Sequence, residues 1–174
     1  YLLEQINMDF NGIKITSPII EVYEKKDSFF VNGQFSNEKN NFEINKLKSI
    51  FVNLLNDIDI QKIEFSSKNN FSFSINKNLK LNNFKIKTVI DLNQLIFSKK
   101  ELKLKPYLPS FNKEVKLEKH KIIINYNKKK IDINGNGNIL LKEKSDNLSY
   151  QIIKDKKNIL FDFQINFKNN SFLL

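Results

Sequence analysis

The sequence predicts a mainly β protein: an elongated, curved antiparallel sheet laid out as a groove or half-pipe meander, with one short α-helix. Two observations carry this expectation. Apolar residues recur at every second position over long runs, and polar breaks rich in Asn, Lys and Asp separate the runs at hairpin spacing. A third observation, one run with apolar residues three and four apart, supplies the helix.

The alternation is clearest in three places. Phe71, Phe73 and Ile75 alternate with Ser72, Ser74 and Asn76. Phe84, Ile86, Thr88, Ile90 and Leu92 follow, with Lys85, Lys87 and Asp91 between them. Near the end, Ile159, Phe161, Phe163, Ile165 and Phe167 alternate with Leu160, Asp162, Gln164, Asn166 and Lys168. Such runs give strands with one apolar and one polar face. The breaks "EKKDS", "SSKNN", "NKNLKLNN", "NYNKKK", "KEKSDN" and "KDKKN" are expected to be turns, because Asn, Asp and Ser side chains bond to nearby backbone groups. In "NKLKSIFVNLLND" the apolar residues Leu47, Ile50, Phe51, Leu54 and Leu55 fit a helix over about 46–56 with Asn45 as its N-cap. The stretch at about 105–113, with Pro106 and Pro109, is expected to be a loop. No domain boundary interrupts residues 1–174, which are taken as a single β-rich segment.

Composition removes several function classes. There is no cysteine, hence neither a disulfide framework nor a thiolate metal site. No apolar run approaches the roughly 18 residues of a membrane-spanning helix, and the opening residues show neither a basic start nor a cleavage site. The chain starts at Tyr1 and stops soon after an apolar run, as expected of a segment of a longer protein whose membrane anchor lies outside it. The net charge of +10 suggests a polyanion, but all 29 basic residues are lysine. Arginine, the residue best suited to bidentate phosphate and base recognition, is absent. No nucleic-acid partner is expected.

Candidate chemical sites are few. Gly135 and Gly137 in "KIDINGNGNILL" lack the third glycine and the following helix of a phosphate loop. By parity they share a face with Ile131, Ile133, Ile139 and Leu141, as gaps in an apolar stripe where something packs close to the backbone. His120 is the only histidine, with Glu118 two residues earlier as its only local partner, and is expected to be a surface residue. Asp57 with Asp59, and Glu143 with Asp146 in a turn, are diluted among lysines and form no hard-cation site. No catalytic residue, cofactor or metal ligand is expected, and no enzyme.

What remains is the apolar stripe, with sixteen phenylalanines and no tryptophan. Periodicity alone permits either the filled interior of a sandwich or barrel, or an open curved sheet whose apolar face is a groove for acyl chains. Burying a CH₂ is worth about 0.8 kcal/mol, so a sixteen-carbon chain would gain up to roughly 12 kcal/mol before ordering costs.

The C-terminal third, from "PYLPSFNKEVKLEKHKIIINYNKKK" through "IDINGNGNILL", the acidic turn "KSDN", "LSYQI" and a further alternating strand, resembles the AsmA-like family (the YhdP and TamB type). The upstream "KNLKLNNFKIKTVIDL" is similar in style, and the likeness covers about 70–100 residues. Such proteins are bridge-like lipid-transport proteins of the bacterial envelope, anchored in the inner membrane and crossing the periplasm as a β-groove. The resemblance implies phospholipid acyl chains as ligand, adjacent β segments of the same chain as neighbours, and a periplasmic location. Carried onto this sequence it makes Ile131, Ile133, Ile139, Tyr150, Ile152, Phe161, Phe163 and Ile165 groove-lining candidates. The alternating runs upstream add Phe71, Phe73, Phe84 and Ile86. The alternative is a structural or protein-interaction β-domain with no lipid role.

Overall fold

The period-two pattern becomes nine strands: β1 (Leu2–Phe10), β2 (Ile13–Lys25), β3 (Ser28–Asn41), β4 (Ile58–Asn76), β5 (Leu81–Lys99), β6 (Glu114–Asn127), β7 (Lys130–Leu140), β8 (Ser145–Lys154) and β9 (Ile159–Asn166). They are seen in a computed structural model that describes residues 1–10, 12–41, 44, 58–99, 106, 114–141 and 144–169. All nine belong to one sheet in the order β1 to β9, each antiparallel to its neighbours in sequence. Among the described residues only consecutive strands touch, so β1 and β9 are both edges and the sheet is open. The expected helix at about 46–56 lies outside the described residues, as does the loop at about 105–113 apart from Pro106.

Local side-chain chemistry closes the turns. Lys26 and Asp27 both take positive φ (46° and 61°), the primed geometry that matches the twist of a tight β2–β3 hairpin. Asn76 Oδ1 accepts from the N–H groups of Asn78 (3.1 Å) and Lys80 (2.9 Å). Asn127 Oδ1 accepts from Lys129 (2.9 Å) and Lys130 (3.1 Å), and Asp155 Oδ1 from Lys157 and Asn158 (both 2.7 Å). These Asx turns join β4–β5, β6–β7 and β8–β9. With the β2–β3 turn they put four hairpin tips at one end of the sheet.

One expected turn is not a turn. "SSKNN" runs through the middle of β4, which continues for 19 residues. Its Ser67 and Asn69 point to the apolar face and are buried there, 9 % and 6 % exposed, because they satisfy one another. Asn69 Nδ2 donates to Ser67 Oγ (2.9 Å) and to the Phe35 carbonyl (3.2 Å). Thr88 Oγ1 donates to Asn69 Oδ1 (2.8 Å), and Ser67 Oγ donates to Asn37 Oδ1. A buried polar group is tolerated when it is hydrogen-bonded, and this four-residue network meets that condition.

Bulges keep the two faces distinct. The β4–β5 register shifts between Glu64 and Phe65, where Asn93 on β5 is the extra residue. The β6–β7 register shifts between Glu118 and Lys121, where Lys119 stands at φ 53°. Because Gln94 pairs with Glu118 and Leu92 with His120, the two irregularities lie side by side and bend β5 and β6 together. The parity of both strands reverses there, so Leu92, Leu95, His120 and Leu117 share one face.

The buried apolar cluster sits at the end of the sheet opposite the hairpin tips. Val115, Ile139, Leu141 and Leu148 are 4–7 % exposed, with Phe97, Leu117, Tyr150, Ile165 and Phe167 packed against them. At the β9 edge, in contrast, Phe161 is 62 % and Phe163 57 % exposed. Leu148→Ala is therefore expected to lower the free energy of unfolding by about 2–4 kcal/mol in a urea titration. Phe161→Ala should cost less than about 1 kcal/mol. Equal losses would mean that β9 is packed as tightly as the core.

Candidate functional site

Strand register assembles the apolar face into rows. One row crosses all nine strands: Leu3, Ile20, Gly33, Phe71, Ile86, Tyr126, Ile131, Lys154 and Ile159. Eight inter-strand steps of about 4.8 Å make it about 38 Å long. A second row runs Phe35, Asn69, Thr88, Ile124, Ile133, Ile152 and Phe161, and a third includes Ile122, Gly135, Tyr150 and Phe163. All twelve residues proposed from sequence as lining lie on this face.

They do not share one environment. Phe71, Phe73, Phe84, Ile86, Ile131, Ile133, Tyr150 and Ile152 are half-buried, and Phe161 and Phe163 are exposed. Ile139 and Ile165 are committed to the core cluster instead, Ile139 at 7 % exposure. The face is thus filled at the core end and open towards the hairpin tips, and the Ser67–Asn69–Thr88 network interrupts it on β4 and β5.

Aromatic rings mark the open part. A chain of ring contacts runs from Phe35 to Phe71 (centroids 5.9 Å apart), Phe73 (6.0 Å), Phe84 (6.5 Å) and Tyr126 (5.7 Å). Another starts at the buried His120 ring, passes through Tyr150 and Phe163 at 6.0 Å each and reaches Phe161 at 6.2 Å on the exposed β9 edge. Isoleucines of β6, β7 and β8 fill the space between them. Phe35 and Tyr126 escaped the reading of the sequence. The first is reachable by carrying the parity of Phe29 and Val31 through Gly33. The second is hidden in "IIINY", where both faces of β6 are apolar.

The glycines belong to the strand, and the rings explain them. A Cβ on Gly135 would strike the Tyr150 ring, and one on Gly137 the His120 ring and backbone. Gly33 stands in the same relation to Phe71. Each glycine is the space in which an aromatic ring lies flat across the neighbouring strand.

His120 is not the surface residue expected from its lysine neighbours. It is 1 % exposed, turned to the apolar face by the bulge at Lys119. The same bulge places Glu118 on the opposite face, where it pairs with Lys116 (2.6 Å), so the proposed His120–Glu118 relation does not form. The hydrogen bond from Lys116 holds the Glu118 carboxyl below its ordinary range. His120 Nε2 donates to the Asn138 carbonyl (2.9 Å), leaving Nδ1 buried without a partner. Burial pushes its pKa down, outweighing the opposing effect of that hydrogen bond. Asp146 is likewise no turn residue. It lies in β8 at 4 % exposure and accepts from the backbone N–H groups of Lys168 and Asn169 (both 2.9 Å), tying the chain after β9 to the core end.

Shallow depressions mark the polar face of the described strands. One, about 410 Å³, involves Asn134, Asn136, Gln151, Gln164 and Lys121, and another, about 420 Å³, Lys85 and Lys87. A third, about 300 Å³, lies over the paired bulges at Asn93 and Lys119. Among the described residues no group of three or more His, Asp or Glu side chains could hold a metal ion. No described helix is long and apolar enough to cross a membrane. Comparison with protein-family models, with curated proteins and with solved structures gives no match to this chain.

Because the folded His120 takes up a proton less readily than an unfolded histidine, stability is full above the ordinary histidine pKa near 6.5. It is lost as pH falls through the interval from that value down to the depressed folded one. The slope there reaches up to about 1.4 kcal/mol per pH unit. Urea midpoints measured between pH 7.5 and 4.5 should fall in the wild type, and His120→Gln should remove that part of the slope. An unchanged slope would show that His120 does not couple to folding.

Proposed function

We propose that this sheet is a non-catalytic surface for phospholipid acyl chains, a segment of an envelope lipid-transport or lipid-homeostasis protein of the AsmA-like kind. The observation that carries the reading is the apolar face of a sheet that is open among the described residues, with Phe161 and Phe163 more than half exposed at the β9 edge. Soluble proteins rarely leave large contiguous apolar surface without a ligand or partner. An acyl chain on such rows needs no polar recognition, and the Asn37–Ser67–Asn69–Thr88 network on this face satisfies its own hydrogen bonds. The likeness of the C-terminal third to AsmA-like strands supports the same reading. It implies a place in the periplasm, between inner and outer membrane, with an inner-membrane anchor outside this segment and further β segments beside it.

The second reading, an ordinary structural or interaction β-domain, has its own support in the tight cluster of Val115, Ile139, Leu141 and Leu148, which is a conventional core. The two readings separate at the open end of the face. Phe161→Asp/Phe163→Asp changes two side chains that are already solvent-exposed, so its circular dichroism should keep the native strand signal. Under the lipid reading, phospholipid extracted from the purified protein and quantified by mass spectrometry should fall about tenfold or more, since removing each aromatic contact costs an acyl chain about 1.5 kcal/mol or more. Wild-type protein that is free of phospholipid, or a folded variant that keeps its full lipid load, would overturn it.

A further inference from the structure

The polar face carries a second feature, independent of the acyl-chain reading. Register places Asn70, Lys87 and Asn125 side by side on β4, β5 and β6, and Ser72, Lys85 and Asn127 in the adjacent row. With strands about 4.8 Å apart and about 6.7 Å between alternate residues, these six side chains frame a patch of roughly 10 by 7 Å. A depression of about 420 Å³ lies there.

Its groups are available donors. Among the described residues neither Lys85 nor Lys87 has an ion-pair partner, and both are exposed. Asp132, on β7 and next to Asn125 in register, is taken up by Lys130 (3.0 Å) and Asn134 (2.8 Å). Asn127 already accepts two backbone N–H groups through Oδ1, so its NH₂ is the half left to donate. Two uncompensated ammonium groups flanked by amide and hydroxyl donors are complementary to a compact, multiply charged oxyanion, and lysine serves such anions as a point charge. Phe71, Ile86 and Tyr126 also border the depression, but register gives them to the apolar row, so the six residues framing the patch offer no ring on which a base could stack, and the chain has no arginine fork to read one.

We propose that the polar face binds a phosphoryl oxyanion between Lys85 and Lys87. The test is a ¹H–¹⁵N NMR titration of the whole 174-residue chain with inorganic phosphate, ionic strength held constant with sodium chloride. Saturable shifts are expected at the backbone amides around residues 70–72, 85–87 and 125–127, with a midpoint of roughly millimolar. K85Q/K87Q should raise that midpoint about tenfold. K14Q/K25Q on β2, which removes the same charge elsewhere, should leave it unchanged. Shifts that rise without saturating, or equal weakening in the control variant, would overturn the site in favour of diffuse charge. A second arm locates the anion's source. If phosphatidylglycerol vesicles sediment the wild type better than K85Q/K87Q, the site takes a lipid headgroup phosphate. If only inorganic phosphate responds, it takes a soluble phosphoryl compound. Neither arm depends on whether the opposite face carries acyl chains.

Discussion

Everything in this molecule depends on register. Nine antiparallel strands keep their apolar side chains on one face only because the side-chain period of a strand is two, and a slip of one residue on any strand would transfer its whole set to the other side. Long strands accumulate irregularities, and here the insertion on β5 is matched by one beside it on β6. The paired parity changes at Asn93 and Lys119 let Leu92 and His120 join Leu95 and Leu117 without breaking a row. One bulge alone would have set two neighbouring strands at odds.

The same constraint divides the face into regions of different physical character. At the core end, Val115, Ile139, Leu141 and Leu148 exclude water and provide ordinary folding free energy. Among the described residues the rows lie open at the hairpin end, and their rings are ordered by neighbouring rings and by the glycines beneath Phe71 and Tyr150. Placing a ring over a glycine lets a broad aromatic lie close to the backbone, giving a smooth surface where a Cβ would have forced the ring to stand up. Between the regions, the Asn37–Ser67–Asn69–Thr88 network satisfies its own hydrogen bonds. It therefore rigidifies β3 to β5 without asking for water or a ligand.

Much of this was legible from residue order. Alternation through Phe71–Ile75, Phe84–Leu92 and Ile159–Phe167 located three strands and the correct face of each, and the Asn and Asp breaks at 26–27, 76–80, 127–130 and 155–158 are the turns. The errors share two causes. A bulge is invisible to a parity count, so Glu118 reads as sharing a face with His120 when one left-handed residue separates them, and the lysines on either side of His120 hide its burial. A polar run need not be a turn, and "SSKNN", which reads locally as a break, has side chains that bond across strands instead. The contacts that bury His120 and Asn69 join residues 18 and 34 apart in sequence, which no local pattern records. The depth of Ile139 and the openness at Phe161 were equally illegible, because alternation assigns a side and says nothing of what covers it.

Among the described residues each strand touches only the strands next to it in sequence, and that connectivity has a consequence for how the fold can vary. Such an architecture is close to one-dimensional, in the manner of solenoids, where stability is a sum of unit and nearest-neighbour terms. Lengthening or shortening it by a hairpin at either margin leaves every interior contact as it was. Span and thickness are thus uncoupled, and a ribbon of this kind can be widened or narrowed one pair of strands at a time.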